Sequence, residues 1–203
     1  MKKNLKRILI CTCAAVLCLM IGVFRDRETL NRELIRLHVV ADSDSEHDQS
    51  VKLSVRDAVL ESIREGLSQA TDIDQARQYI RDNLPKIERS ANEVLKSLGC
   101  DEQAVATLKQ EVFDTRHYDT FSLPAGVYEA LRITIGTGEG RNWWCVAFPT
   151  LCVPATAAEF RDVAAGAGFD DALTSSLQAD APYEIRFYLL DLLGKLEARF
   201  FKE

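Results

Sequence analysis

Two short segments hold most of the residues that could do chemistry. The first, Asp42–Glu46, is five polar residues in a row, and His38 lies four residues before it. The second, Gly136–Cys145, has three alternating glycines, then an asparagine, two adjacent tryptophans and a cysteine. A histidine, a carboxylate and a cysteine are the residue types of a nucleophilic hydrolase site. Both segments could instead be turns, so each chemical interpretation is compared with a structural one.

Known metal and nucleotide motifs fit these segments poorly. Asp42–Glu46 resembles the start of a calcium loop, but His47 stands where that loop needs glycine and Leu53 where it needs a bidentate glutamate. Helix capping is therefore the favoured interpretation. The glycine segment lacks the Lys-Ser/Thr of a P-loop, and the three histidines are far apart in sequence. We predict no metal and no cofactor.

An exported hydrolase, acting on cell wall or on a small ester or amide, is the alternative function. It would use Cys145 with His38 or His117, or His38 with Asp42 and Asp44. Chain order does not exclude this, because triads assemble in space. The sequence has neither Gly-x-Ser-x-Gly nor His-Glu-x-x-His, and a disulfide would trap Cys145. We therefore predict that the chain has no catalytic residues.

The N-terminus has the pattern of an export signal. Four basic residues precede the charge-free run Ile8–Phe24, which is within the length range of a short membrane span. Residues 1–25 are predicted to be a signal peptide or an N-terminal membrane anchor. An oxidising exterior makes a disulfide between Cys145 and Cys152 plausible and leaves Cys100 free.

Composition describes an acidic globular body. The chain has 203 residues, 47% of them apolar, with 25 Lys and Arg against 31 Asp and Glu. All four charges of the first 24 residues are basic, so the net charge of −6 becomes −10 for the remainder. Such a body repels phosphate backbones, and we predict no nucleic-acid binding.

Residues 30–203 are predicted to form a single α+β domain, a small and mostly antiparallel sheet packed with several helices. Apolar periodicity predicts strands at 34–41, 104–112, 126–135 and 143–148, the last two joined as a hairpin by the glycine segment. It predicts a helix that is capped by one of Asp42–Ser45 and runs to about Glu65, where Gly66 ends it. Further helices are predicted from Thr71, from Pro85, and over 184–201 with Gly194 as a weak point. The stretch 154–182, rich in Ala and Gly, is predicted to be an insertion with one short helix.

Adjacent tryptophans on a strand point to opposite faces of the sheet. One of Trp143 and Trp144 can therefore fill the core while the other is an exposed anchor for a protein partner. The alternative is that both are packed, the second beneath the C-terminal helix.

These residues resemble those of the stage II sporulation protein R family. Three motifs occur in the same order behind an apolar segment, although Asp42, Asp114 and Thr150 depart from the family pattern. The motifs are Leu37-His38-Val39-Val40-Ala41-Asp42-Ser43-Asp44 with the following Asp48 to Val59, Leu123 to Arg132, and Gly138-Glu139-Gly140-x-Asn142-Trp143-Trp144-Cys145-Val146-x-Phe148-Pro149-x-Leu151-Cys152.

The resemblance implies a signalling protein of endospore formation. Such a protein is exported from the forespore into the space between the two membranes, where it is secreted or stays anchored. There it activates a membrane-embedded aspartic protease of the mother cell, which processes a sigma-factor precursor. We expect Asp42–Asp48 and Gly136–Trp144 to form the activating surface. The candidate partner-binding residues are His38, Asp42, Ser43, Asp44, Asp48, Arg56, Asp57, Gly138, Glu139, Gly140, Arg141, Asn142, Trp143 and Trp144.

Overall fold

The computed structural model describes residues 2–149, 156–179 and 185–201. This part of the chain confirms the predicted α+β class, with a mostly antiparallel four-stranded sheet and a two-stranded ribbon. The helices are α1 Lys2–Glu33, α2 Glu46–Gln69, α3 Ile73–Ser97, α4 Ala157–Gly166, α5 Asp171–Leu177 and α6 Ile185–Phe201. The strands are β1 Ile35–Val40, β2 Ala104–Phe113, β3 Arg116–His117, β4 Ser122–Leu123, β5 Gly126–Ile135 and β6 Asn142–Phe148.

The strand order is β2-β5-β1-β6, so the predicted hairpin between β5 and β6 is wrong. β1 lies between these two strands, parallel to β5 and antiparallel to β6. All six residues of β1 are buried, and a strand this apolar is best placed in the middle of a sheet. The glycine segment therefore crosses the end of β1 instead of turning back on β5. We call residues Gly136–Arg141 the crossover loop.

Helices α2 and α3 pack together on one face of the sheet. The side chains of Ser45 and Asp72 accept hydrogen bonds from backbone N–H groups of the first turns, as expected for N-caps. α2 runs past Gly66 to Gln69, so the predicted end at Glu65 is wrong. A Cβ at Gly66 would lie 2.0 Å from Cζ of Tyr79, so this glycine makes room for a ring of α3.

Pro85 lies inside α3, and the prediction that it begins a new helix is wrong. A proline within a helix removes one backbone hydrogen bond. The buried face of α3 nevertheless continues in phase on both sides, from Ile80 to Ile87 and Ala91, each with no exposed surface. Packing of this long apolar stripe outweighs the lost hydrogen bond.

A second core lies on the other side of the sheet, where α4, α5, α6 and the end of α1 meet. The stretch predicted to hold one short helix has two, and Phe160, Phe169 and Leu173 from it are buried there. Gly194 is not a weak point of α6 but a point of close approach. A Cβ at this position would lie 1.6 Å from the carbonyl oxygen of Ala125.

The N-terminal helix belongs to two environments. From Leu5 to Phe24 its apolar side chains are largely exposed. Asn4–Glu33 is long and apolar enough to cross a membrane, and an export signal has the same length and apolar character. From Val23 onward the helix is part of the body. Arg27 donates to Glu197, and Arg186 donates to Asp26 at 2.5 and 2.8 Å.

Candidate functional site

The crossover loop is attached to the residues that follow β1. The backbone N–H groups of Glu139 and Gly140 donate to the carbonyl oxygens of Asp42 and Ala41, at 3.1 and 2.9 Å. The Asp42 carboxylate accepts from the N–H of Thr137 at 2.6 Å. The structure therefore brings together the two segments predicted to share one surface.

Glycine is needed in this loop for two reasons. Gly138 has φ +67°, a conformation that side-chain-bearing residues rarely adopt. Gly140 is needed because the loop approaches the backbone of Ser43 closely. A Cβ at this position would lie 2.2 Å from the carbonyl oxygen of Ser43.

The polar residues of Asp42–Asp48 hold this arrangement in place. Asp44 accepts from the N–H of Arg141 at 2.6 Å, and Lys52 donates to the carbonyl oxygen of Arg141 at 2.9 Å. The Ser43 hydroxyl donates to the Asp48 carboxylate, while the N–H of Asp48 donates to Ser45. The side chains of Glu139 and Arg141 remain exposed. Nε of Arg141 also lies 3.5 Å from Oδ1 of Asp44.

A second cluster lies on the sheet face opposite α2 and α3. His38 Nδ1 is 2.7 Å from Oε2 of Glu111, and its Nε2 is 2.8 Å from Oδ1 of Asn142. The second oxygen of Glu111 is 3.3 Å from Arg132 and 3.6 Å from Lys109. One carboxylate is thus shared by three cationic or protonatable groups. We call this surface the open face, formed by His38, Lys109, Glu111, Arg116, Arg132 and Trp144.

Burial and charge act in opposite directions on Glu111, which is 9% exposed. Burial alone would raise its pKa, but the hydrogen bond from His38 and the charges of His38 and Arg132 outweigh burial and lower the pKa. Glu111 is therefore held as a carboxylate at neutral pH.

The two tryptophans lie on opposite faces, as predicted, and both are half-buried. Trp143 packs against the core beneath α2 and α3, with the Arg56 guanidinium 4.3 Å from its ring centre. Trp144 stacks on His38 at 5.6 Å, and the Arg116 guanidinium lies 3.4 Å above its ring. Asp57 is exposed and pairs with Arg56. Trp144 is the tryptophan that belongs to the open face.

Lys109, Glu111, Arg116 and Arg132 are absent from the set of predicted site residues. Their signal was present in part, because Lys109 and Glu111 alternate along β2 and so share one face. The sequence pattern did not give the order of the strands in the sheet. Only with β5 between β2 and β1 does Glu111 lie near His38, reaching over the small side chain of Ala130 in the row Lys109–Ala130–Arg36.

The residues proposed for the alternative hydrolase do not converge. Cys145 belongs to the core beneath α2 and α3, on the face opposite His38, and is disulfide-bonded. Asp42 and Asp44 hold the crossover loop. Cys100 is a free thiol, and Cys152, the predicted partner of Cys145, lies outside the described residues. Within the described ranges no three His, Cys, Asp or Glu side chains are close enough to hold a metal ion.

The molecule is thus an α+β domain behind an apolar N-terminal helix, with a docked crossover loop beside a charged sheet face. The family model for stage II sporulation protein R matches residues 31–158, and the chain belongs to that family. The stage II sporulation protein R of Bacillus subtilis (strain 168) is 42% identical over 120 residues, which are 59% of this chain and 54% of the relative. The chain therefore spans about half the length of that curated relative. No solved structure matches the chain.

Proposed function

We propose that this chain is an exported signalling protein of endospore formation. In this proposal it leaves the forespore, enters the space between the two membranes, and activates a membrane-embedded aspartic protease of the mother cell. That protease then processes a sigma-factor precursor. The observation that carries the proposal is the family match over residues 31–158, which gives the chain a sporulation role and includes both β1 and the crossover loop.

The N-terminal helix supports the exported location. Its apolar side chains from Leu5 to Phe24 are largely exposed, a surface that is unfavourable in water and suited to a lipid bilayer or to the export machinery. Because Asp26 and Arg27 pair with α6, the helix also connects the membrane side of the molecule to its body.

The environment of His38 fits a protein that acts by binding a partner better than it fits an enzyme. A general base needs a free ring nitrogen within reach of a nucleophile or substrate. Here one nitrogen faces Glu111 and the other faces Asn142. The thiol that could have acted as nucleophile is disulfide-bonded. We infer that the chain signals by contact and that the catalytic aspartates belong to the protease.

The crossover loop is the proposed activating surface. A loop held on a rigid sheet is a common place for recognition, and hydrogen bonds to Ala41 and Asp42 fix this one. Glu139 and Arg141 are the residues to test, since both side chains are exposed. Asp44 is a poorer test because its carboxylate holds the backbone of the loop.

The test reconstitutes the full-length chain with the protease and its sigma-factor precursor across a membrane. Glu139→Ala and Arg141→Ala should reduce precursor cleavage while leaving the free energy of unfolding within about 0.5 kcal/mol of wild type. Glu93→Ala and Arg89→Ala, at exposed positions of α3, are the matched controls and should leave cleavage unchanged.

Three results would contradict parts of this proposal. Absence of precursor cleavage with the wild-type chain would remove protease activation. Turnover of peptidoglycan or a model ester that is abolished by His38→Ala would favour the hydrolase. Normal signalling by both loop variants would move the activating surface elsewhere.

A further inference from the structure

Two arginines on this side of the sheet, Arg116 and Arg36, form no ion pair with an acidic side chain in the described part of the chain. Arg116 lies flat on Trp144, with its guanidinium carbon 3.4 Å from the ring centre. Its Nε is buried and has no hydrogen-bond partner among the described residues. Stacking on an aromatic ring orients a guanidinium, and because Nε of Arg116 is buried, a planar anion would meet the edge formed by its two terminal nitrogens.

Arg36 lies on β1, on the same side of the sheet, and is more deeply buried than Arg116. It has no exposed surface, and its guanidinium lies 4.0 Å above the ring of Phe113. One terminal nitrogen donates to the Tyr118 hydroxyl at 2.8 Å, while Nε and Nη1 lack partners within the described part of the chain. A buried charge is normally paired, because desolvation without a counter-ion is unfavourable.

Glu111 cannot supply the missing negative charge. Its two oxygens already face His38, Arg132 and Lys109. Arg36, Lys109, Arg116 and Arg132 thus carry four positive charges on this side of the sheet, and the described ion pairs join Glu111 to two of them, Lys109 and Arg132. This excess lies on a body whose net charge is −10 once the basic N-terminus is set aside. A local positive field on an acidic protein selects an anionic partner and orients it.

We propose that the open face binds a carboxylate-bearing segment of a protein partner, with Arg116 as its main anchor. A planar carboxylate can take two parallel hydrogen bonds from a guanidinium fixed by stacking. Arg132 and Lys109 lie partly and largely exposed beside it and provide weaker contacts. The inference rests on the proposed function in taking the partner to be a protein exposed at the membrane. It adds the chemistry of that contact: Asp or Glu side chains.

The test measures binding directly, apart from protease activation. The full-length chain in detergent micelles is titrated with synthetic peptides that cover the extracytoplasmic segments of the protease. Each peptide is made in its natural form and with Asp and Glu replaced by Asn and Gln. The chain has two tryptophans, so a Trp143→Phe background makes Trp144 fluorescence a local reporter of binding beside Arg116.

We expect one natural peptide to bind and shift Trp144 emission, and its neutralised form to bind at least tenfold more weakly. Arg116→Gln should weaken binding at least tenfold, and Arg116→Lys, which keeps the charge but loses the stacked plane, by a smaller factor. Arg161→Gln, at an exposed position of α4, is the matched control and should change affinity less than twofold. Circular dichroism confirms that each variant is folded.

Equal binding of natural and neutralised peptides would overturn the inference, and so would no binding of any natural peptide. The chain could also bind phosphatidylglycerol vesicles but no peptide, with vesicle binding abolished by Arg116→Gln. That result would assign the open face to lipid and would also overturn the inference. If Arg116→Gln activates the protease normally, the inference fails while the proposed function stands. If no form of the chain activates the protease but the acidic peptide binds through Arg116, the proposed function fails instead.

Discussion

One face of the four-stranded sheet lies under α2 and α3, whereas part of the other is exposed and arranges its side chains by charge. On the covered face, Leu37, Val39 and Ile133 have no exposed surface and pack among apolar neighbours. On the open face, Glu111 and His38 are buried among charged and polar side chains and the rings of Phe113 and Trp144. Apolar contacts are non-directional, while charged contacts fix orientation. The first face therefore supplies stability, and the second supplies a shaped surface.

The largest expected effect comes from the covered face. Leu37→Ala should lower the free energy of unfolding by about 3 kcal/mol, because a fully buried leucine loses its packing and leaves a cavity. Val105→Ala is the comparison at an exposed position, since Val105 on β2 is 53% exposed. This substitution should lower the free energy of unfolding by no more than about 0.5 kcal/mol. Urea denaturation of both variants checks this. Equal losses would mean that the two positions do not differ in packing.

The next prediction concerns the end of the other face that α6 covers. Gly194→Ala should destabilise by about 2 kcal/mol, because the added Cβ meets the carbonyl oxygen of Ala125 and α6 must move away. Gly166→Ala is the matched control in α4, where a Cβ would find no atom within 4 Å. That control should be neutral or stabilise by up to about 1 kcal/mol. Thermal unfolding that ranks the two variants in reverse would contradict the close approach of α6.

Much of this contrast could be predicted from the sequence. Apolar periodicity indicates β1, β2 and the long helices. The cap of α2, Ser45, is one of the candidates in Asp42–Ser45, but the cap of α3 is Asp72 and not the predicted Thr71. Strand order was not predictable this way, because the six residues between β5 and β6 would suit a hairpin as well as a crossover. Since the contacts of His38 depend on that order, Glu111 and Arg132 are absent from the predicted site residues, whereas Asn142 and Trp144 are among them only as candidate partner-binding residues.

Glycines and prolines show the same limit. Gly66 and Gly194 sit inside helices because Tyr79 and Ala125 approach them, and no local pattern reveals an approaching group. Pro85 is tolerated because the stripe on both sides of it meets one continuous core. Residue type describes the local backbone preference, whereas tertiary packing decides whether that preference is followed.

At low pH, the contribution of the open face to the free energy of unfolding should be lost before that of the covered face. Glu111→Gln is expected to lower the free energy of unfolding by about 1.5 kcal/mol at pH 7, because a charged hydrogen bond to His38 is replaced by a neutral one. The pKa of Glu111 lies below its ordinary value of 4.5 in the folded state. Its contribution is therefore complete above about pH 4.5 and is lost as the pH falls through the folded-state pKa.

Urea denaturation of wild type and Glu111→Gln between pH 7 and pH 3 measures this effect. The difference between the two proteins should be constant at the higher pH values and shrink at the lowest. A difference that does not change with pH would mean that the Glu111 carboxylate contributes shape but no charge to the open face.

The smallest effect is expected at Lys109, and it bears on what the open face is for. Its amino group is 3.6 Å from Glu111, but the side chain is 55% exposed, so water and salt screen the pair. Lys109→Ala should change the free energy of unfolding by less than about 0.5 kcal/mol, measured at low and at high salt. Such a result means that this charge is not needed by the fold and is available to a partner. A loss above about 1 kcal/mol would instead make Lys109, like Arg132, part of the network that holds Glu111, and Arg116 would then be the main positive charge available to bind an acidic segment.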